Sequence, residues 1–141
     1  MRYDRILRRV WVKIDGREYA LVFSLSVFEK LDAENDGNLI VQLSQGDTPY
    51  KLLSHAFKLA LQQADKKITA PEAEALLEKF VYAEGLPSLS AVFWVAVAVS
   101  GLMGAKVSRV FLERMAVETQ DVEGLEDCTE ADEKNGVKPE E

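Results

Sequence analysis

From Leu86 to Ala105 the chain runs for twenty residues without a charged side chain. Such a run has two physical homes. One is the hydrocarbon of a bilayer, which needs about 20 apolar residues in a helix. The other is the middle of a protein core, where a helix can be apolar all round. Pro87, Ser88, Ser90, Ser100, Gly101 and Gly104 interrupt the run, and alanine and valine outnumber leucine in it. The rest of the chain carries amphipathic helices that need a buried partner. The run is therefore read as a central core helix over about Ser88–Leu102, and no membrane span is expected.

What surrounds that helix can be read from spacing. Val10, Val12 and Ile14 alternate with Arg9, Trp11 and Lys13, so Ile6 to Ile14 reads as a strand. Tyr19, Leu21 and Phe23 alternate likewise over Arg17 to Phe23. Between them stands Asp15-Gly16, the pair that closes a two-residue hairpin because glycine accepts positive φ. An isolated hairpin is marginal in water, so it must lie on helices or pair with another chain.

Ser26 and Glu29 have capping-box spacing and predict a short helix with Val27, Phe28 and Leu31 on one side, ended by Asn35-Asp36-Gly37. Asn38 to Gln45 allows two further turns. Asp47 or Thr48 then caps a new helix with Pro49 in its first turn. Leu52, Leu53, Ala56, Phe57, Ala60, Leu61 and Ala64 form a continuous helical stripe. Thr69 and Glu72 repeat the capping-box spacing before Ala73, Leu76, Leu77, Phe80 and Val81. After the apolar run, Lys106 to Val117 is helical, with Val107, Val110, Phe111 and Met115 at stripe spacing.

The charge is unevenly placed. The net charge is −7. Residues 118–141 hold ten Asp/Glu and two Lys, whereas residues 1–117 carry a net of +1. The acidic segment has few apolar residues and is expected to be disordered. The fold class is thus α+β, mainly α: an N-terminal β-hairpin packed on a bundle of four to six helices over 1–117, and a disordered acidic tail over 118–141. The charge balance argues against a protein that holds nucleic acid by general positive charge. Arg2, Arg5, Arg8, Arg9, Lys13 and Arg17 form a basic N-terminal arm. That arm either touches nucleic acid, is a solvated strand face, or pairs with the protein's own tail.

Catalytic chemistry has little to work with. There is one cysteine, Cys128, and one histidine, His55, so neither a disulfide framework nor a thiolate zinc cluster can form within the chain. No phosphate-binding glycine loop or nucleophile elbow occurs. His55 borders an apolar stripe and is expected at the surface or at the boundary of the core. No secretory signal opens the sequence, and a reducing cytoplasm is the expected compartment. The chain is read as a non-enzyme, without cofactor or metal. If residues 6–105 already close a core, the stripe Val107, Val110, Phe111 and Met115 either completes that core or binds a partner, as exposed amphipathic helices do.

The order of these pieces resembles a known family. Val12-Lys13-Ile14-Asp15-Gly16-Arg17-Glu18-Tyr19, Leu21-Val22-Phe23 and Phe28-Glu29-Lys30-Leu31 resemble the opening of the tail assembly chaperones of long-tailed phages and prophages. Gly37-Asn38-Leu39, the helix around Leu53-Ser54-His55-Ala56-Phe57-Lys58-Leu59-Ala60-Leu61, Ile68-Thr69 and Ser100-Gly101-Leu102 continue the likeness over about residues 10–104. The apolar Val92–Val99 segment and the basic arm depart from it. The resemblance implies a helical protein that coats the tape-measure protein during tail assembly in the host cytoplasm and is absent from the mature virion. It implies contact with the tape measure and with the tail tube protein, and self-association, with no nucleic acid or membrane partner. It also implies a longer product by ribosomal frameshifting, for which Glu133-Lys134-Asn135 is permissive: its codons can contain the slippery heptamer A AAA AAC. The other class of function consistent with the residues is a small prophage regulatory or DNA-associated protein that uses the basic arm.

Overall fold

Asp15 and Gly16 both take positive φ, 54° and 77°, as a tight hairpin turn requires. The turn sets the register of β2 (Arg9–Ile14) against β3 (Arg17–Leu21), which pair antiparallel with Val12 opposite Tyr19 and Val10 opposite Leu21. Val10, Val12, Ile14 and Leu21 share the buried face, while Arg9 and Lys13 point the other way into solvent. The computed structural model describes residues 1–119 and 125–129. Glu133-Lys134-Asn135 and the rest of the acidic tail lie outside the described residues.

The hairpin is part of a larger sheet. β1 (Arg2–Asp4) pairs antiparallel with β2, and β4 (Glu126–Asp127) pairs parallel with β1, giving the order β3-β2-β1-β4. Two corrections follow for the sequence reading. The first strand of the hairpin, β2, begins at Arg9, not Ile6, because Asp4 turns the chain: its Oδ1 accepts the backbone N–H groups of Ile6 and Leu7, each at 2.8 Å. Within the acidic segment, Leu125–Thr129 is placed on the sheet edge. The N–H groups of Glu126 and Cys128 donate to the carbonyls of Met1 and Tyr3 at 3.1 and 2.9 Å.

Six helices follow the hairpin among the described residues. In α1 (Leu25–Glu34) the cap is Ser24, whose hydroxyl accepts the Val27 N–H at 3.2 Å, two residues earlier than the Ser26 start. α2 (Leu39–Ser44) and α3 (Tyr50–Ala64) match the expected spans, but neither Asp47 nor Thr48 caps α3: Pro49 stands at the cap position, outside the first turn, and no side chain bonds there. α4 (Ala70–Glu84) opens on the expected capping box: Thr69 and Glu72 exchange side-chain and backbone bonds at 3.1 and 3.3 Å. Gly85, with φ 90°, turns the chain into α5 (Leu86–Ser100), which starts two residues before Ser88 because Pro87 fits a first helical turn.

α5 is the centre of the molecule. It touches β1, β2, α3, α4 and α6 (Ala105–Thr119), and Leu89, Val92, Phe93 and Val95–Ser100 are all buried. The uncharged run is a core helix, and among the described residues no single helix is long and apolar enough to cross a membrane. α3 seats its stripe between β3, α1, α4 and α5. Phe57 packs on Phe80 of α4 with ring centres 5.2 Å apart, and Phe23 meets Phe93 edge-on at 5.8 Å.

Candidate interaction surface

α6 leaves α5 through Gly101 and Gly104, whose φ values of 81° and 90° are left-handed. It then folds back and packs on α5. The face that docks is Ser108, Phe111, Leu112 and Met115, the i, i+3, i+4, i+7 set of one helix side. Leu112 is fully buried, and Phe111 lies 6.1 Å from the Trp94 ring, which in turn meets Phe93 at 5.4 Å. Ser108 Oγ is buried without a hydrogen-bond partner.

The four stripe residues therefore divide. Phe111 and Met115 are half-buried against the core. Val107 and Val110, at 55% and 57% exposure, face solvent on the flank beside Phe111. Lys106, Arg109 and Arg114 are exposed on the same outward side. Spacing identified an amphipathic helix but placed its buried centre one residue off, because Ser108 and Leu112 had been left out of the stripe. Leu102, at the α5–α6 turn, is also exposed. A second apolar feature is α2, where Ile40 and Val41 are exposed at 69% and 52% while Leu39 is buried.

Part of the basic arm is engaged by its own chain. Arg2 makes a two-pronged pair with Glu18, both contacts 2.9 Å, and its guanidinium lies 4.2 Å above the Trp11 ring. The carboxylate bond raises the Arg2 pKa, and the same guanidinium holds the Glu18 carboxyl below its usual range. Arg5 sits 3.7 Å from Asp127. Burial, reinforced by the negative Asp127, pushes the Tyr3 hydroxyl up to about 12.

His55 is half-buried on α3 and meets Glu34 of α1 through Nδ1 at 2.6 Å. Cys128 is half-buried, with its Sγ donating to the Tyr3 carbonyl at 3.0 Å and accepting from Arg2 at 3.5 Å. The hydrogen-bond partner of His55 is a carboxylate and not a nucleophile, and no group of three or more metal-ligating side chains occurs among the described residues. What the surface offers is exposed aliphatic side chains on a helical frame with arginine and lysine beside them. Comparison with protein-family models, curated proteins and solved structures finds no match.

Proposed function

We propose that this chain is a tail assembly chaperone of the long-tailed phage type, which binds the tape-measure protein and keeps it soluble in the host cytoplasm until the tail tube forms around it. The observation that carries the reading is the division of α6. One face secures the helix to the core, and the adjoining flank leaves Val107 and Val110 in water. A long apolar-rich helical chain self-associates unless its stripe is covered, and small helical proteins with exposed aliphatic flanks can cover it. The resemblance over residues 10–104 supports the same reading. The acidic segment adds solubility to such a complex.

Within the arm Arg2 is already matched to Glu18, which counts against the DNA-associated alternative at that residue. The test is co-expression with a tape-measure candidate, a very long coiled-coil-like chain to be sought among the neighbouring genes. Wild-type protein should raise that chain's soluble yield severalfold and co-elute with it on size exclusion. The double substitution Val107→Asp with Val110→Asp should remove both effects while leaving the circular dichroism spectrum unchanged. An unchanged yield with wild-type protein, or full activity of the double variant, would count against α6 as the contact. Reading the gene separately tests the longer product: AAG or AAT codons at Lys134 or Asn135 eliminate that slippery site.

A further inference from the structure

The four residues Arg5-Ile6-Leu7-Arg8 between β1 and β2, and Arg9 at the start of β2, are all exposed, with Ile6 at 61% and Leu7 at 50%. Aliphatic side chains at a turn are ordinarily tucked inward or replaced by polar ones. Here the turn is built so that they stay out. Asp4, with no exposed surface, bonds the backbone N–H groups of Ile6 and Leu7 through Oδ1, each at 2.8 Å. Buried Thr129 accepts the Arg5 N–H through Oγ1 at 2.7 Å. Arg8 closes the turn at φ 57°. The backbone amides are thus satisfied from beneath, and the two aliphatic side chains stand at the tip with three arginines around them.

We infer that this turn is a docking tip for an anionic bilayer surface, independently of the tape-measure reading. The occupant is argued from charge and shape. Arg8 and Arg9 make no ion pair among the described residues, and Arg5 has only a 3.7 Å contact with Asp127. The cations are therefore available to phosphate headgroups, each a modest electrostatic contribution near a charged leaflet. Nucleic acid would use the arginines and leave Ile6 and Leu7 in water. Two adjacent aliphatic residues on a convex turn fit a yielding surface that they can enter at headgroup depth. This is a surface contact by a turn, distinct from any membrane span.

The experiment is sedimentation of the full chain with vesicles of phosphatidylglycerol and phosphatidylethanolamine, against phosphatidylcholine vesicles, at low and high salt. Binding is expected to the anionic vesicles alone, and to fall severalfold between low and about physiological ionic strength as headgroup attraction is screened. Ile6→Ser with Leu7→Ser, and separately Arg8→Glu with Arg9→Glu, should each reduce it severalfold. All four residues are exposed, so both variants should keep the wild-type melting temperature. No binding at low salt, binding indifferent to lipid charge, or binding unaffected by either variant would overturn the inference. So would a turn variant that fails only in keeping the tape-measure chain soluble, which would make the tip a protein contact.

Discussion

Asp4 shows how much one side chain can decide. Its Oδ1 bonds two successive amides, while Oδ2 is buried without a partner. Asp4→Ala would leave two N–H groups unmet and should cost about 1–3 kcal/mol, read from urea midpoints. It should also speed hydrogen exchange at Ile6 and Leu7. Tyr3 gives a pH signature. Its folded value is raised from 10 to about 12, so its contribution is complete below the unfolded value and is lost as pH rises through the folded one. The wild-type midpoint should therefore fall between pH 10 and about 12, with part of that fall absent in Tyr3→Phe. Glu18 works in the opposite direction: its lowered value gives stability above the unfolded carboxylate pKa, lost as pH falls. With side chains 34% and 38% exposed, the Arg2–Glu18 pair is worth only about 0–1 kcal/mol. The Asp4 turn is local, two and three residues along the chain, yet it lies inside the stretch Ile6–Ile14 that alternation reads as strand. The Arg2–Glu18 and Tyr3–Asp127 contacts join distant residues, and nothing in local spacing signals such a pairing.

Elements were read more easily where local chemistry sets them. Asp15-Gly16 announced its hairpin, and Thr69 with Glu72 announced the start of α4, because turn and cap bonds lie within a few residues. Thr69→Ala should cost about 1 kcal/mol, by thermal melting. Gly16→Ala meets no atom within 4 Å, yet φ 77° alone should make it destabilising by roughly 1 kcal/mol. The short strands β1 and β4 escaped notice, since three and two residues carry no periodicity and their pairing is long-range. On α6 the amphipathic pattern was legible but not which flank it buries, since that depends on where Trp94 and Phe111 meet. Leu112→Ala should cost about 2–5 kcal/mol, whereas Val107→Ser should stay within about 0.5 kcal/mol. Equal losses from both would mean that Val107 is part of the packing.

For the whole molecule, the uncharged run was the most legible feature. Twenty residues without a charge had to be surrounded, and α5 is surrounded by sheet and helices. The division of charge was legible too, and one of the three readings of the basic arm, pairing with the protein's own tail, is met at Arg5 and Asp127; the strand pairing of the tail with β1 was not legible. The exposed aliphatic flank of α6, not the charge, carries the proposed work. The most direct measurement is the soluble, co-eluting yield of the tape-measure chain when the two are co-expressed. Chaperoning through α6 requires a severalfold rise with wild-type protein and its loss with Val107→Asp, Val110→Asp. A tape-measure chain that stays insoluble beside abundant, folded wild-type protein, with no complex on size exclusion, would contradict it.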